Sequence, residues 1–163
     1  MSDLRARREA IVREHIRCER LGTDIDGAVA TFFEGRATYD VVPLEHLRSP
    51  GQEITHPRPE DVHALLTELT TAFPDLELVV EKLHHADDAV IVEGRTTGTH
   101  RAPFFGLDPT GRRISVRAAV FYRFDGDRMT NETIYFDLAT QMRQLGLESM
   151  PLTEEPSVTF ARP

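Results

Sequence analysis

The sequence predicts an α+β fold in which a strongly curved antiparallel sheet closes around helices and leaves a cone with an apolar interior. Three observations carry this. Helix-period apolar stripes fill the amino-terminal part and return near residue 60. From residue 76 the chain reads as strands in succession joined by turn signals, and consecutive strands with tight connections pair antiparallel. Gly94 and Gly98 interrupt the longest strand pattern, where bends or bulges would curve the sheet.

Residues 4–21 read as a helix whose face carries Leu4, Ile11, His15 and Cys18, broadened by Val12 and Ile16, with Gly22 as the stop. Thr23 then resembles an N-cap with Asp26 three positions on, opening a short second helix with Ile25, Val29, Phe32 and Phe33 on its apolar face and Gly35 at its end. Residues 37–42 read as a short strand. The span Pro43–Pro59 reads as a long loop, a length that marks a lid or an interface. Pro59 fits the first turn of a third helix, faced by Val62, Leu65, Leu66, Leu69 and Phe73 and stopped by Pro74-Asp75.

Four strands follow: Leu76–Leu83, with Leu76, Leu78 and Val80 on one side; Ala89–His100; Ile114–Phe124; and Met129–Phe136. His84 to Asp88 reads as a turn between the first two, and Asp125-Gly126 as a hairpin before the last. Ile114, Val116, Ala118, Val120, Tyr122 and Phe124 share one parity, the clearest strand signal in the chain. Asp137 reads as the N-cap of a last helix, Leu138–Leu145, ended by Gly146. The reading is one domain over 1–147 and a wrapping or mobile extension over 148–163.

A chain of 163 residues, 40% hydrophobic and 28% charged, can bury a real core. A net charge of -8, with basic runs no longer than pairs, argues against nucleic-acid binding. No run approaches a membrane span, the first residues lack a signal-peptide pattern, and the single cysteine excludes an intrachain disulfide; a cytoplasmic protein is the expectation. Cys18 reads as a small buried side chain. There is no nucleophile elbow, glycine-rich phosphate loop or metal-ligand spacing, so neither cofactor nor metal is expected.

His100, at a strand end beside Phe104 and Phe105, is either an acid–base residue at a pocket mouth or a histidine that bonds the following loop. His84 and His85 are neighbours on opposite faces and do not chelate one ion. Glu93 needs solvent or an arginine partner, a surface ion pair being the commoner outcome. Asp40 follows Tyr39 and is a candidate for the concave side. Glu132 and Asn131 lie on opposite faces of the last strand, so one points inward. Tyr39, Tyr122 and Tyr135 are either hydrogen-bond donors to a substrate or sheet-packing aromatics. Phe32, Phe73, Val116, Ala118 and Ile134 complete the expected apolar lining.

The stretches from Glu93 to Val116 and from Tyr122 to Gly146 resemble the SnoaL-like polyketide cyclase and ester cyclase family of the nuclear transport factor 2-like superfamily. The likeness rests on Thr97-Gly98-Thr99-His100, the turn Gly106 to Arg112, the Asp125-Gly126 hairpin, and Phe136-Asp137 with Gln144-Leu145-Gly146. The resemblance implies a cystatin-like cone, a homodimer joined through the sheet, and metal-free, non-covalent acid–base catalysis on a hydrophobic, polycyclic or ester-bearing substrate. It implies a site histidine at His100 and a pocket-edge loop at Phe104, Phe105, Gly106, Pro109, Thr110 and Gly111. The cyclases' acid–base aspartate falls here on Ile134, which cannot transfer a proton, leaving His100, Glu132 and Asp40 as the catalytic candidates. A cyclase, isomerase or hydrolase without cofactor is the leading reading; a non-catalytic binder of a hydrophobic small molecule is the alternative.

Overall fold

The computed structural model describes residues 3–33, 37–43, 55–56, 58–104 and 106–147. Helix α1 spans Asp3–Glu19 and runs into a 3-10 turn at Arg20–Gly22; α2 spans Ile25–Ala30 and α3 Pro59–Ala72. The strands are β1 Thr38–Val41, β2 Thr55–His56, β3 Glu77–His85, β4 Ala89–Thr99, β5 Arg113–Asp125 and β6 Arg128–Phe136, followed by α4, Leu138–Leu145. The sheet order is β2-β1-β6-β5-β4-β3. Every pairing is antiparallel except β1 with β6, which is parallel. The sheet curves around the amino-terminal helices as the sequence predicts.

One core joins the layers. The inward residues of β4 and β5, including Val90, Val92, Val120 and Tyr122, pack with Val12 of α1, Ala28 of α2 and Val62, Leu65 and Leu66 of α3. A second cluster, Ala72, Phe73, Leu76, Phe104, Ile114 and Leu145, closes the other end. Apolar stripes at helical spacing and period-2 alternation therefore meet in the same interior.

Local chemistry moves several boundaries. Asp24, not Thr23, caps α2, accepting from the Gly27 N–H at 2.9 Å, because the 3-10 turn uses the residues before it. The helix stops at Ala30 and Phe33 lies beyond it, its N–H donating to the Met129 carbonyl at 2.7 Å. Strand β3 continues through His84 and His85, so the turn begins at Ala86. Asp137 and Gly146 bound α4 as expected, the latter at φ +92°. Most of the Pro43–Pro59 span, Phe105 and residues 148–163 lie outside the described residues.

Two bulges shape the sheet. One lies in β3 between Val80 and Lys82, across from Gly94, and turns Val80 toward solvent. A Cβ on Gly94 would sit 2.1 Å from the Val79 carbonyl oxygen, so only glycine admits that approach. The other lies in β6: Phe124 pairs with Met129 but Arg123 pairs with Asn131, leaving Thr130 as the extra residue. Met129 points into the core before this bulge. After it the inward parity passes to Glu132 and Ile134.

Candidate active site in the cone

Glu132 forms the floor of the site. Its strand register sets Tyr39 of β1 on one side and Tyr122 of β5 on the other. From above, α1 lowers His15, whose Nε2 lies 2.8 Å from Glu132 Oε2 and 3.1 Å from Glu19 Oε1. His15 and Glu19 are one helical turn apart and so share a face. Phe32 and Tyr122 hold the imidazole edgewise, with centroids 5.2 and 5.7 Å away.

The tautomer follows from the opposite ring edge. Nδ1 faces the Ala28 carbonyl at 3.1 Å and Thr31 Oγ1 at 2.7 Å, while the Thr31 hydroxyl donates to the same carbonyl at 2.6 Å. A carbonyl only accepts, so this network assigns a proton to Nδ1. Nε2 then faces two carboxylates and needs a proton of its own or one on a neighbouring oxygen. It is well aligned with neither oxygen, and Nε2, Glu19 Oε1 and Glu132 Oε2 are all buried without a well-oriented partner.

Electrostatics agree with that placement. Burial pushes the Glu132 carboxyl upward and Glu19 adds to the effect; His15 and a hydrogen bond from Tyr39 offset part of it, leaving Glu132 at about 7. Burial alone would depress His15, but Glu19 and then Glu132 overcome it and hold the imidazole well above its ordinary value. Burial, reinforced by Glu132, raises both tyrosine hydroxyls, so they stay protonated near neutral pH. Nε2 of His15 and one carboxylate oxygen each of Glu19 and Glu132 lie within 4.8 Å of one another, close enough to exchange a proton.

Glu132 and Glu19 border a cavity between α3 and the sheet. One lobe, about 50 Å3, is lined by Glu19, Arg20, Tyr39, Glu77 and Glu132 among apolar neighbours. The adjoining lobe, about 60 Å3, is apolar, with Phe73, Phe104, Ile114 and Val116 on its walls and Gln141 as a polar group. Tyr39, Leu69, Leu76, Thr96 and Ile134 line both lobes, which therefore adjoin. At the mouth Arg20 pairs with Glu77 at 3.0 Å, and the Leu21 N–H, at φ +61°, ties the end of α1 to the Leu76 carbonyl.

The sequence candidates separate into four places. Glu132, Tyr39, Phe73, Phe104, Val116 and Ile134 reach the cavity. Phe32 and Tyr122 pack behind it around His15, and Ala118 is buried in the sheet. Asp40 and Asn131 occupy the outer face, where the Asn131 amide donates to Asp40 at 2.9 Å; the parity that points Tyr39 and Glu132 inward turns these two outward. His100 is sealed between Phe73, stacked at 5.2 Å, and its own loop, its Nδ1 accepting from the Thr110 N–H at 3.3 Å. Burial holds it below its ordinary value, partly offset by the Ala102 carbonyl. No described contact joins His100 to Glu132 or Asp40. Glu93 is exposed and pairs with His84 at 2.8 Å, while His85 reaches Glu9 on the other face.

His15 and Glu19 are the residues that sequence reasoning missed. Their signal is a histidine on an apolar stripe followed by a glutamate one turn on, which reads equally well as ordinary helix patterning.

A curved sheet closed over helices, with an inward carboxylate on the strand before a capped last helix, defines the cone-shaped α+β class. The profile of the SnoaL-like polyketide cyclases matches residues 40–145, and the chain belongs to that family. No curated protein matches it in sequence. Among solved structures it is similar to a SnoaL-like protein of Jannaschia sp. CCS1, at 20% identity over 89% of this chain and 95% of that one, with a TM-score of 0.75. TsrD of Streptomyces laurentii gives 20% identity, coverage of 87% and 96%, and a TM-score of 0.69. AclR of Streptomyces galilaeus gives 23%, 86% and 96%, and 0.67. At these identities the likeness is one of fold.

Proposed function

We propose that the protein takes a small hydrophobic molecule into the cone and moves a proton on it by non-covalent acid–base chemistry, with Glu132 as the proton-transferring carboxylate, and that it works as a homodimer joined through the outer face of the sheet. The observation that carries this reading is a buried carboxylate, held at about 7 and 2.8 Å from His15, on the wall of a largely apolar cavity. A carboxylate that titrates near operating pH is suited to act as base and then as acid. Tyr39, whose hydroxyl bonds Glu132, lines the same lobe and would donate to a substrate oxygen that gains charge once that carboxyl is protonated.

Size narrows the substrate. At roughly 10–15 Å3 per water-sized occupant, the two lobes hold on the order of ten non-hydrogen atoms. That fits a monocyclic or compact bicyclic ketone, lactone or epoxide better than a large polycycle. The test is a panel of such compounds, scored for binding by thermal shift and for turnover by mass spectrometry, with α-deuterium wash-in from D2O for the ketones. Glu132→Gln is expected to lower wash-in by about 100-fold or more while the fold persists. Unchanged exchange in that variant rejects the assignment. Loss of activity on treatment with a chelator rejects the metal-free form of the reading. Binding without exchange or turnover supports a non-catalytic carrier of the same ligand class.

A further inference from the structure

A buried carboxylate that takes a proton from a substrate needs a route by which that proton leaves. The Glu132 side chain is 2% exposed and His15 is fully buried, whereas Glu19 is 16% exposed. It stands with Arg20 and Glu77 on the cavity wall. The Nδ1 edge of His15 is closed by Ala28 and Thr31, so proton traffic at this ring passes through Nε2 alone. That atom lies between Glu132 and Glu19 at 2.8 and 3.1 Å and is aligned with neither, so a small rotation selects one partner or the other.

We propose that Glu19 is the proton outlet of the site, exchanging with Glu132 through the single nitrogen Nε2 of His15 and releasing to water at the cavity mouth. The inference rests on the acid–base role of Glu132. The substrate C–H electrons stay with the substrate as its proton bonds to Glu132. His15, held as the imidazolium, first gives its Nε2 proton to Glu19, which gives one to water; the freed Nε2 then takes the proton from Glu132, restoring the imidazolium and the carboxylate. One bond to hydrogen breaks and one forms at each step, with no redox change. Of the groups that face the path, Tyr39 of β1 and Tyr122 of β5 hold their protons, and Arg20 is paired with Glu77 of β3. Glu14 and Asp24 face outward, both within reach of Arg17.

The test needs no substrate. In protein carrying 15N-histidine, exchange of the His15 Nε2 proton with water is measured by magnetisation transfer at pH 6 in dilute buffer, with acetate as the added proton carrier. Glu19→Gln is expected to slow exchange at least tenfold, and acetate to restore it in proportion to its concentration, a response that a merely structural residue would not give. Glu19→Asp, which keeps the acid and shortens its reach, is expected to slow exchange less and to respond to acetate in the same way, and it decides the matter if the glutamine variant fails to fold. Exchange within twofold of the wild type, or slowing that acetate does not relieve, overturns the proposal. Failure here leaves the Glu132→Gln wash-in result standing, and absence of wash-in leaves this measurement standing.

Discussion

Glu132 lies two residues from Ile134 on the same inward face, a displacement of about 7 Å along the strand. The side chain at the position expected to carry the acid is part of the apolar wall, and the carboxylate lies one pleat away. Sequence parity reduced the choice to Asn131 or Glu132 but could not make it, because the Thr130 bulge shifts the alternation just before them. His15 was harder to read: its role depends on a strand more than a hundred residues away. These two residues also set a pH dependence. Both have folded-state values above their unfolded ones, so the folded chain binds more protons than the unfolded chain from about pH 4.5 upward. The contribution of Glu132 is complete below about pH 4.5 and is lost as pH rises through about 7; that of His15 is complete below its ordinary value of 6.5 and is lost only at higher pH, through its raised folded value. Each excess proton gives a slope of about 1.4 kcal/mol per pH unit. Asp137, held low by hydrogen bonds from Thr140, acts in the opposite sense, and only at the acid end. Denaturant unfolding from pH 5 to 8 should show declining stability in the wild type and a flatter profile in Glu132→Gln; parallel profiles would contradict this.

At the level of elements, α3, α4 and the long strands were legible because one rule fixes each: a stripe of 3.6 period, a cap, or a parity. Strand β5 keeps its alternation over its whole length because both its neighbours are antiparallel and its inner face is buried. The parallel pairing of β1 with β6 was not legible, since nothing local in a four-residue strand encodes a partner over ninety residues away. Glycine punctuation located the curvature only in part. The β3 bulge lies across from Gly94, whereas Gly98 gives room to the Phe73 ring. Gly94→Ala should therefore cost about 1–3 kcal/mol or more, because backbone must move to clear the Val79 carbonyl. Asp137→Ala, which removes only the cap of α4, should cost about 1 kcal/mol. Urea midpoints of the two variants measure both, and an unshifted Gly94→Ala would refute the steric account of the bulge.

For the whole molecule, the outer face of the sheet carries the exposed Tyr135 and Val79, with Phe121 packed edgewise on Tyr135. If this is the homodimer face, sedimentation should report about twice 18.4 kDa, and Tyr135→Lys should shift the equilibrium toward single chains. A concentration-independent monomer in the wild type would rule the dimer out. No described helix is long and apolar enough to cross a membrane. The family match begins at residue 40, yet His15 and Glu19 belong to α1. A chain that has laid down its sheet but not yet seated its first helix therefore holds the carboxylate without its partner. Water would then reach Glu132, and its titration would return to the range of any surface acid. Seating the amino terminus and arming the acid are a single event, and the resonance of one imidazole reports both.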